Sequence, residues 1–363
     1  MARWVMGLAA LLSACSAPSE ETADVGPWQI WWDVGQGADT ASTGDGGPGD
    51  AGGPGGAGGA DLGVTDVQQE APEDAAADVA SPVDSGAPLD SEAPADTAPD
   101  AGPPPLLVDS DNDGIPDVAD LFPFDKDLPG TAYGGVVYAH TADELWRMDV
   151  KTYKLDFVAF FGWPADGGVH EMTDIAIDRY GALYGVSFSA VYSCHPQKGK
   201  CLRIGTLPTN YNALTFVPQG LLDEDKDVLI AIGNGGEWTR LDRTGETFTA
   251  TNLGKYGAIY TSSGDAYSIK GVGTYATVNK SGDSSDWLVA VHPASGHVTA
   301  EIGRLDGFSS MFGLAGWTDR AFGFDEGGAV VVVDTGTGKV VNTIQSTPKK
   351  WWGAGVRTYI PAQ

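Results

Sequence analysis

The sequence predicts an all-β fold, a five-bladed β-propeller with four-stranded blades, placed after a long disordered tether. Three observations predict it. A strand-and-turn unit recurs five times after Tyr133, the composition changes abruptly near residue 107, and the chain ends on a first strand with no second strand behind it. The 363 residues carry 49 Asp and Glu against 21 Lys and Arg, a formal charge of −28. Residues 1–130 hold 25 of those acids and 2 of the bases, so most of the charge belongs to the first third of the chain. Nucleic acid is excluded as a partner class, because binding polyphosphate needs clustered Lys and Arg and the one adjacent basic pair is Lys349-Lys350.

Residues 1–14 read as a signal peptide. Arg3 is followed by an apolar run from Trp4 to Leu12, too short for a bilayer-spanning helix, which needs about 20 apolar residues. The stretch Leu12-Ser13-Ala14-Cys15 resembles the bacterial lipobox. That resemblance implies that Cys15 becomes the lipid-modified first residue and ties the chain to a membrane. Ser16 behind it implies delivery to the outer membrane, facing the periplasm or the cell surface. Residues 15–106 are an acidic mixture of Gly, Ala, Pro and Asp. They offer too few large apolar side chains to offset an ordering entropy of about 1–2 kcal/mol per residue. A disordered linker is expected, with a reach of roughly 50 Å.

Residues 107–128 form the next segment. With Asp109 as position 1, side-chain oxygens fall at positions 1, 3, 5, 9 and 12 as Asp109, Asp111, Asp113, Asp117 and Asp120, and Gly114 holds position 6. A hard cation such as Ca²⁺ takes six to eight oxygens, and this spacing wraps one ion, with the carbonyl of Ile115 as the backbone ligand. The run resembles the thrombospondin type 3 repeat, whose DxDxDGxxDxxD pattern it matches. The resemblance implies Ca²⁺ as a cofactor, one or two ions. It departs from the family's arrays in being a single copy, with Asp125 and Asp127 behind it. The bland alternative is a chance period in the acidic linker. On the metal reading the loop is a rigid collar between tether and domain.

Residues 133–363 carry the repeat. Aligning Asp149, His195, Asp242, His292 and Asp334 gives spacings of 46, 47, 50 and 42. Each of these residues follows a strand and precedes a turn, and a period in the mid forties with four short strands is that of a propeller blade. The first strands are read in MTDIAID, YNALTFVP, YGAIYTSS and MFGLAGWT, with GALYGVS, DVLIAIG, DAYSIKG and RAFGFDE as their partners. Val272 to Asp286 is read as an insertion between second and third strands. The first copy lacks a first strand, and WGAGVRTYIP at the C-terminus supplies it, closing the first blade. The blades resemble those of secreted bacterial propellers, including quinoprotein-like ones, a likeness that supports fold and leaves function open.

Cys194 and Cys201 flank one hairpin turn, so a disulfide is expected in an exported chain, with a zinc site using His195 as the rival. No GxSxG, HExxH or phosphate-loop motif is present. The face where loops between blades gather assembles His170, Glu171, Asn210, Tyr211, Tyr256, Trp351 and Trp352, a set suited to a glycan, peptide or protein ligand if the aromatics are not simply packed between blades. The leading expectation is a monomeric, non-enzymatic, lipid-anchored envelope protein with a binding or adhesion role. The alternative is a propeller hydrolase or quinoprotein-like dehydrogenase with its site over the central channel.

Overall fold

A computed structural model describes residues 107–165, 171–346 and 349–360. The segments read as signal peptide and linker, Cys15 among them, lie outside the described residues through residue 106, as does His170. Within them the chain forms twenty strands and no helix.

Strand β20 (Gly353–Gly355) joins β1 (Val136–His140), β2 (Glu144–Asp149) and β3 (Leu155–Phe160) in one antiparallel sheet. The closing strand from the C-terminus pairs with β1 through Ala354 and Ala139, as the sequence suggested. Two further meanders run from β4 (Asp174–Ile177) through β5 (Leu183–Val186), β6 (Ala190–Cys194) and β7 (Cys201–Thr206), and from β8 (Ala213–Val217) through β9 (Val228–Ile232), β10 (Glu237–Thr244) and β11 (Thr247–Lys255). One parallel pair, Thr206 with Thr247, links these two into an eight-stranded sheet. The remaining sheets are β12 (Tyr260–Ile269) to β15 (Val298–Arg304), through β13 (Gly273–Lys280) and β14 (Asp286–Val291), and β16 (Met311–Trp317) to β19 (Val340–Gln345), through β17 (Arg320–Asp325) and β18 (Ala329–Asp334).

The first strands touch in a cycle: β4 packs on β8, β8 on β12, β12 on β16, β16 on β20 and β20 on β4. This is the arrangement of a β-propeller. Burial follows radius, which explains the composition of each strand. Both faces of the inner strands β4, β8 and β20 are buried, so apart from Asp174 and Thr215 they are apolar or very small, whereas the outer strands β3, β15 and β19 are partly or fully accessible and include polar residues.

One assignment from the sequence is corrected. Tyr260 to Ile269 is a single long inner strand, and most of Val272 to Asp286 is its partner β13, not an insertion. The Ser-Ser-Gly-Asp run that reads as a turn is an irregularity within the strand, where the register shifts between Ser262 and Ala266. The Thr and Tyr alternation of Gly273–Lys280 forms the ordinary pleated partner.

The recurring turn has a physical explanation. Its last residue takes left-handed backbone in all five copies, at Tyr153 (φ 59°), Gly199 (φ 69°), Gly245 (φ 63°), Gly296 (φ 68°) and Gly338 (φ 69°). The aligned acids and histidines cap these turns. Thr152 N donates to Asp149 Oδ1 at 2.7 Å, Gln197 N to His195 Nδ1 at 3.1 Å, Ala294 N to His292 Nδ1 at 3.3 Å, and Thr337 N to Asp334 Oδ1 at 2.9 Å. Asp242 departs from this pattern and pairs with Arg240. At Gly338 a Cβ would also land on the carbonyl of Ile302 in the neighbouring outer strand, so the turn seams one blade to the next. Gly338→Ala is therefore expected to destabilise the fold by about 2–4 kcal/mol, from left-handed strain plus overpacking. Gly245→Ala, where a Cβ meets nothing within 4 Å, should cost about 1–2 kcal/mol. Urea denaturation of the two variants checks the difference.

Candidate functional site

The aspartate loop curls on its own side chains. Asn112 (φ 61°) and Gly114 (φ 96°) both take left-handed backbone, and Asp109 receives their amides at 2.8 and 3.0 Å. Asp113 N donates to Asp111 Oδ1 at 3.2 Å and Ile115 N to Asp113 Oδ1 at 2.8 Å. The curl brings one carboxylate oxygen each from Asp109, Asp111 and Asp113 within 4.8 Å of one another. Asp111 Oδ2 and Asp120 Oδ2 are buried and receive no hydrogen bond. Burial, reinforced by the charges of Asp113, Asp111 and Asp109, pushes the Asp120 carboxyl up to about 6 against the opposing bond from Phe122 N. Burial likewise raises Asp111. An all-carboxylate set with bare, partly desolvated oxygens fits a hard cation such as Ca²⁺ and does not fit zinc. Asp117 stands apart from this cluster, because its carboxylate holds Ser110 through N and Oγ at 2.8 and 2.7 Å. Ile115 contributes a fully buried side chain.

The same loop is docked on the second meander. Gly130 N donates to Asp113 Oδ2 and Thr131 Oγ1 to the Asp113 carbonyl, both at 2.9 Å. Gln197 Nε2 donates to the Thr131 carbonyl at 2.9 Å, and Lys198 pairs with Asp127 at 2.5 Å. Gly130 lies so close to the His195 ring that a Cβ there would meet it. Leu121 and Phe122 add apolar contact to the cluster that contains Phe216, Leu241 and Phe248. The receiving hairpin is bounded by Cys194 and Cys201, which face each other in register and are joined by a disulfide with a Cα separation of 4.1 Å. The aspartate loop and the propeller thus share one short path of contacts.

The loop face expected to bind a ligand is different in kind. Tyr211, Tyr256 and Trp351 are buried, which corrects their assignment to a binding surface. Tyr256 lies against Trp238, and Trp351 stands edge-on to Trp146 and Phe324 with its Nε1 donating to Ser346 Oγ at 2.9 Å. Their rings fill the wedges between blades. Asn210 is exposed, and Glu171 and Trp352 are half-buried.

Beneath that face lies a cluster the sequence reading missed. Asp174 opens β4 and Asp265 sits in the irregular stretch of β12, and neither is exposed. Asp174 Oδ1 accepts from Ile175 N at 2.8 Å and Oδ2 from Leu214 N of β8 at 2.5 Å. Asp265 Oδ1 accepts from Ala266 N at 2.6 Å, and Oδ2 from Leu314 N of β16 at 2.7 Å and Ala354 N of β20 at 3.2 Å. The two carboxyls meet at β20, where a Cβ on Gly353 would strike Asp174 Oδ1 and the next amide, that of Ala354, donates to Asp265 Oδ2; each lies within hydrogen-bonding reach of the other, and burial holds both well above the usual carboxylate range. Fully buried His140 places its Nε2, which has no hydrogen-bond partner, 3.8 Å from Asp174 Oδ1. The available signal was an acid at the head of an apolar inner strand in two alternate repeats, Thr173-Asp174-Ile175 and Gly264-Asp265-Ala266.

No protein-family model and no curated protein matches the chain. Among solved structures it is similar to the WD40 β-propeller domain of Doa1, at 13% identity and TM-score 0.31 over 61% of this chain and 68% of that one. It is also similar to BamB from Moraxella catarrhalis, at 13% identity and TM-score 0.31 over 60% and 61%. A third is the computationally designed Ika8 protein, at 14% identity and TM-score 0.30, of whose length this chain spans 63%. Likeness of this strength carries no conclusion about function.

Replacing Asp265 by Ala leaves three buried amides without an acceptor. A loss of about 3–5 kcal/mol is expected. Replacing the half-buried Asp156, which pairs with the exposed Lys154, by Ala should change stability by less than about 1 kcal/mol, and the two denaturation midpoints compare them.

Proposed function

We propose that this chain is a lipid-anchored protein of the bacterial envelope, in which a calcium-binding collar holds a five-bladed propeller that works by binding another molecule. The lipobox-like Leu12 to Cys15 supports the anchor, and the Gly- and Asp-rich linker supports display at a distance. Five four-stranded meanders with first strands in cyclic contact support the blade count. The observation that carries the reading furthest is the convergence of Asp109, Asp111 and Asp113 beside the bare oxygens of Asp111 and Asp120, in a loop bonded to the propeller through Gly130 and Thr131.

Calcium at that site would neutralise carboxylates that otherwise repel, fixing the loop. The surface left for a glycan, peptide or protein includes Asn210, Glu171 and Trp352, with His170 next in sequence. An enzyme acting over the channel is the second reading, and the axial acids are what would favour it. Their four oxygens are each taken by main-chain amides and both side chains are buried, an arrangement suited to holding strands and not to meeting a substrate.

Calcium titration of the full chain against an Asp113→Ala, Asp120→Ala double variant tests the metal site. The native chain should bind and gain thermal stability, by about 2.7 kcal/mol at a hundredfold excess over Kd, and the variant should gain none. Equal, negligible binding by both contradicts the assignment. The anchor is tested separately by Cys15→Ser, which should move the protein from the membrane fraction to the soluble one. A variant that still fractionates with membranes would overturn that part.

A further inference from the structure

We propose that Asp174 and Asp265 hold a single proton between them, and that this shared proton is the clasp that closes the ring of inner strands. Two ionised carboxylates side by side and fully buried repel strongly, so one of them must be neutralised. No Lys or Arg pairs with either acid among the described residues, where Asp174's one charge contact is to His140. That histidine does not supply the proton. Its Nδ1 lies 2.7 Å from the Thr141 carbonyl and so carries a hydrogen, and burial, which pushes the ring down to about 4, keeps it neutral, so Nε2 is a bare acceptor 3.8 Å from Asp174 Oδ1. An acceptor facing a carboxylate makes the anion at Asp174 worse still.

The hydrogen bonds also say which acid carries the proton. Asp265 receives three amides and Asp174 two. The negative charge stays on the better-solvated Asp265, and the proton sits on Asp174, donated across to its partner. Through this one bond the Asp174 arm, which holds β4 and β8, is tied to the Asp265 arm, which holds β12, β16 and β20. Loss of the proton to solvent leaves two adjacent anions and pushes the arms apart.

The pH dependence has a definite sign. The unfolded chain releases this proton above the ordinary carboxylate pKa of about 4, whereas the folded chain keeps it. Stability from the clasp is therefore complete at acid pH and falls as pH rises, about tenfold in the unfolding constant per pH unit, until the folded pair itself ionises. Two titratable groups face the pair. Burial pushes His140 down to about 4 and raises Tyr256 far beyond its ordinary value, so both are neutral across the range. Asp178 and Asp286, raised by burial to about 7 and about 6, add slopes of their own, and a variant must isolate the pair.

The test uses the full chain labelled with carboxyl-¹³C aspartate and isotope-edited infrared spectroscopy at about pH 8, above the titration of Asp178. A protonated-carboxyl band should remain in the native protein and be missing from Asp174→Asn. The unfolding constant of that variant should also rise about tenfold less per pH unit than the native one between about pH 5 and pH 8. If Asp174→Asn does not fold, the native spectrum alone decides. Absence of the band at that pH, whether the pair is doubly ionised or occupied by a cation, overturns the proposal. So does a band that persists unchanged in the variant, or an identical pH slope.

Discussion

The amides of Leu214, Leu314 and Ala354 all point at two carboxyl groups, Asp174 and Asp265, and that convergence is what the rest of the domain depends on. A propeller has no central core in the usual sense, because each sheet packs only on its two neighbours and the ring must be closed by something. Here the closing strand β20 is three residues long, too short to hold by its ladder to β1 alone. Small residues let it approach: Gly313 meets the backbone of Gly353, and Gly355 meets the carbonyl of Ile175. Ala354 then donates to Asp265 on the far side of the axis, so the last strand is bonded both to its own sheet and to the hub.

Closure at the axis is matched by seams at the rim. The hairpin turn of one meander nests against the outer strand before it, as Gly199 does against the carbonyl of Phe160 and Gly338 against that of Ile302. Left-handed backbone explains why the recurring turn ends in glycine in four of five copies, and the close carbonyl adds a second reason at Gly199 and Gly338. The copy against which the aspartate loop docks carries the Cys194–Cys201 disulfide across the base of its turn, and the same hairpin receives Thr131 and Asp127 from the segment behind that loop. Order therefore runs from the aspartate loop to a cross-linked hairpin, to the sheet and to the hub.

Periodicity made the repeat legible in the sequence, together with the strand boundaries of most meanders and the C-terminal closure, because turn chemistry and alternation are local properties of the chain. The aspartate loop was legible for the same reason. What failed were contacts between distant segments. Ser262 to Asp265 carries every local sign of a turn, yet it bulges within one strand so that Asp265 can face the axis while Gly264 clears the backbone of Phe312. Trp351 and Tyr256 look like surface aromatics at strand entrances, and only the neighbouring blades show that their rings are enclosed.

The central claim is that the ring is held at the hub and not at its rim. Residue-resolved hydrogen exchange on the full chain measures this directly. The account predicts that Leu214, Leu314 and Ala354 exchange among the slowest amides of the protein, through global unfolding, together with Ile175 and Ala266. Exchange of Ala354 and Leu314 as fast as that of the accessible outer strands β15 and β19 would contradict it.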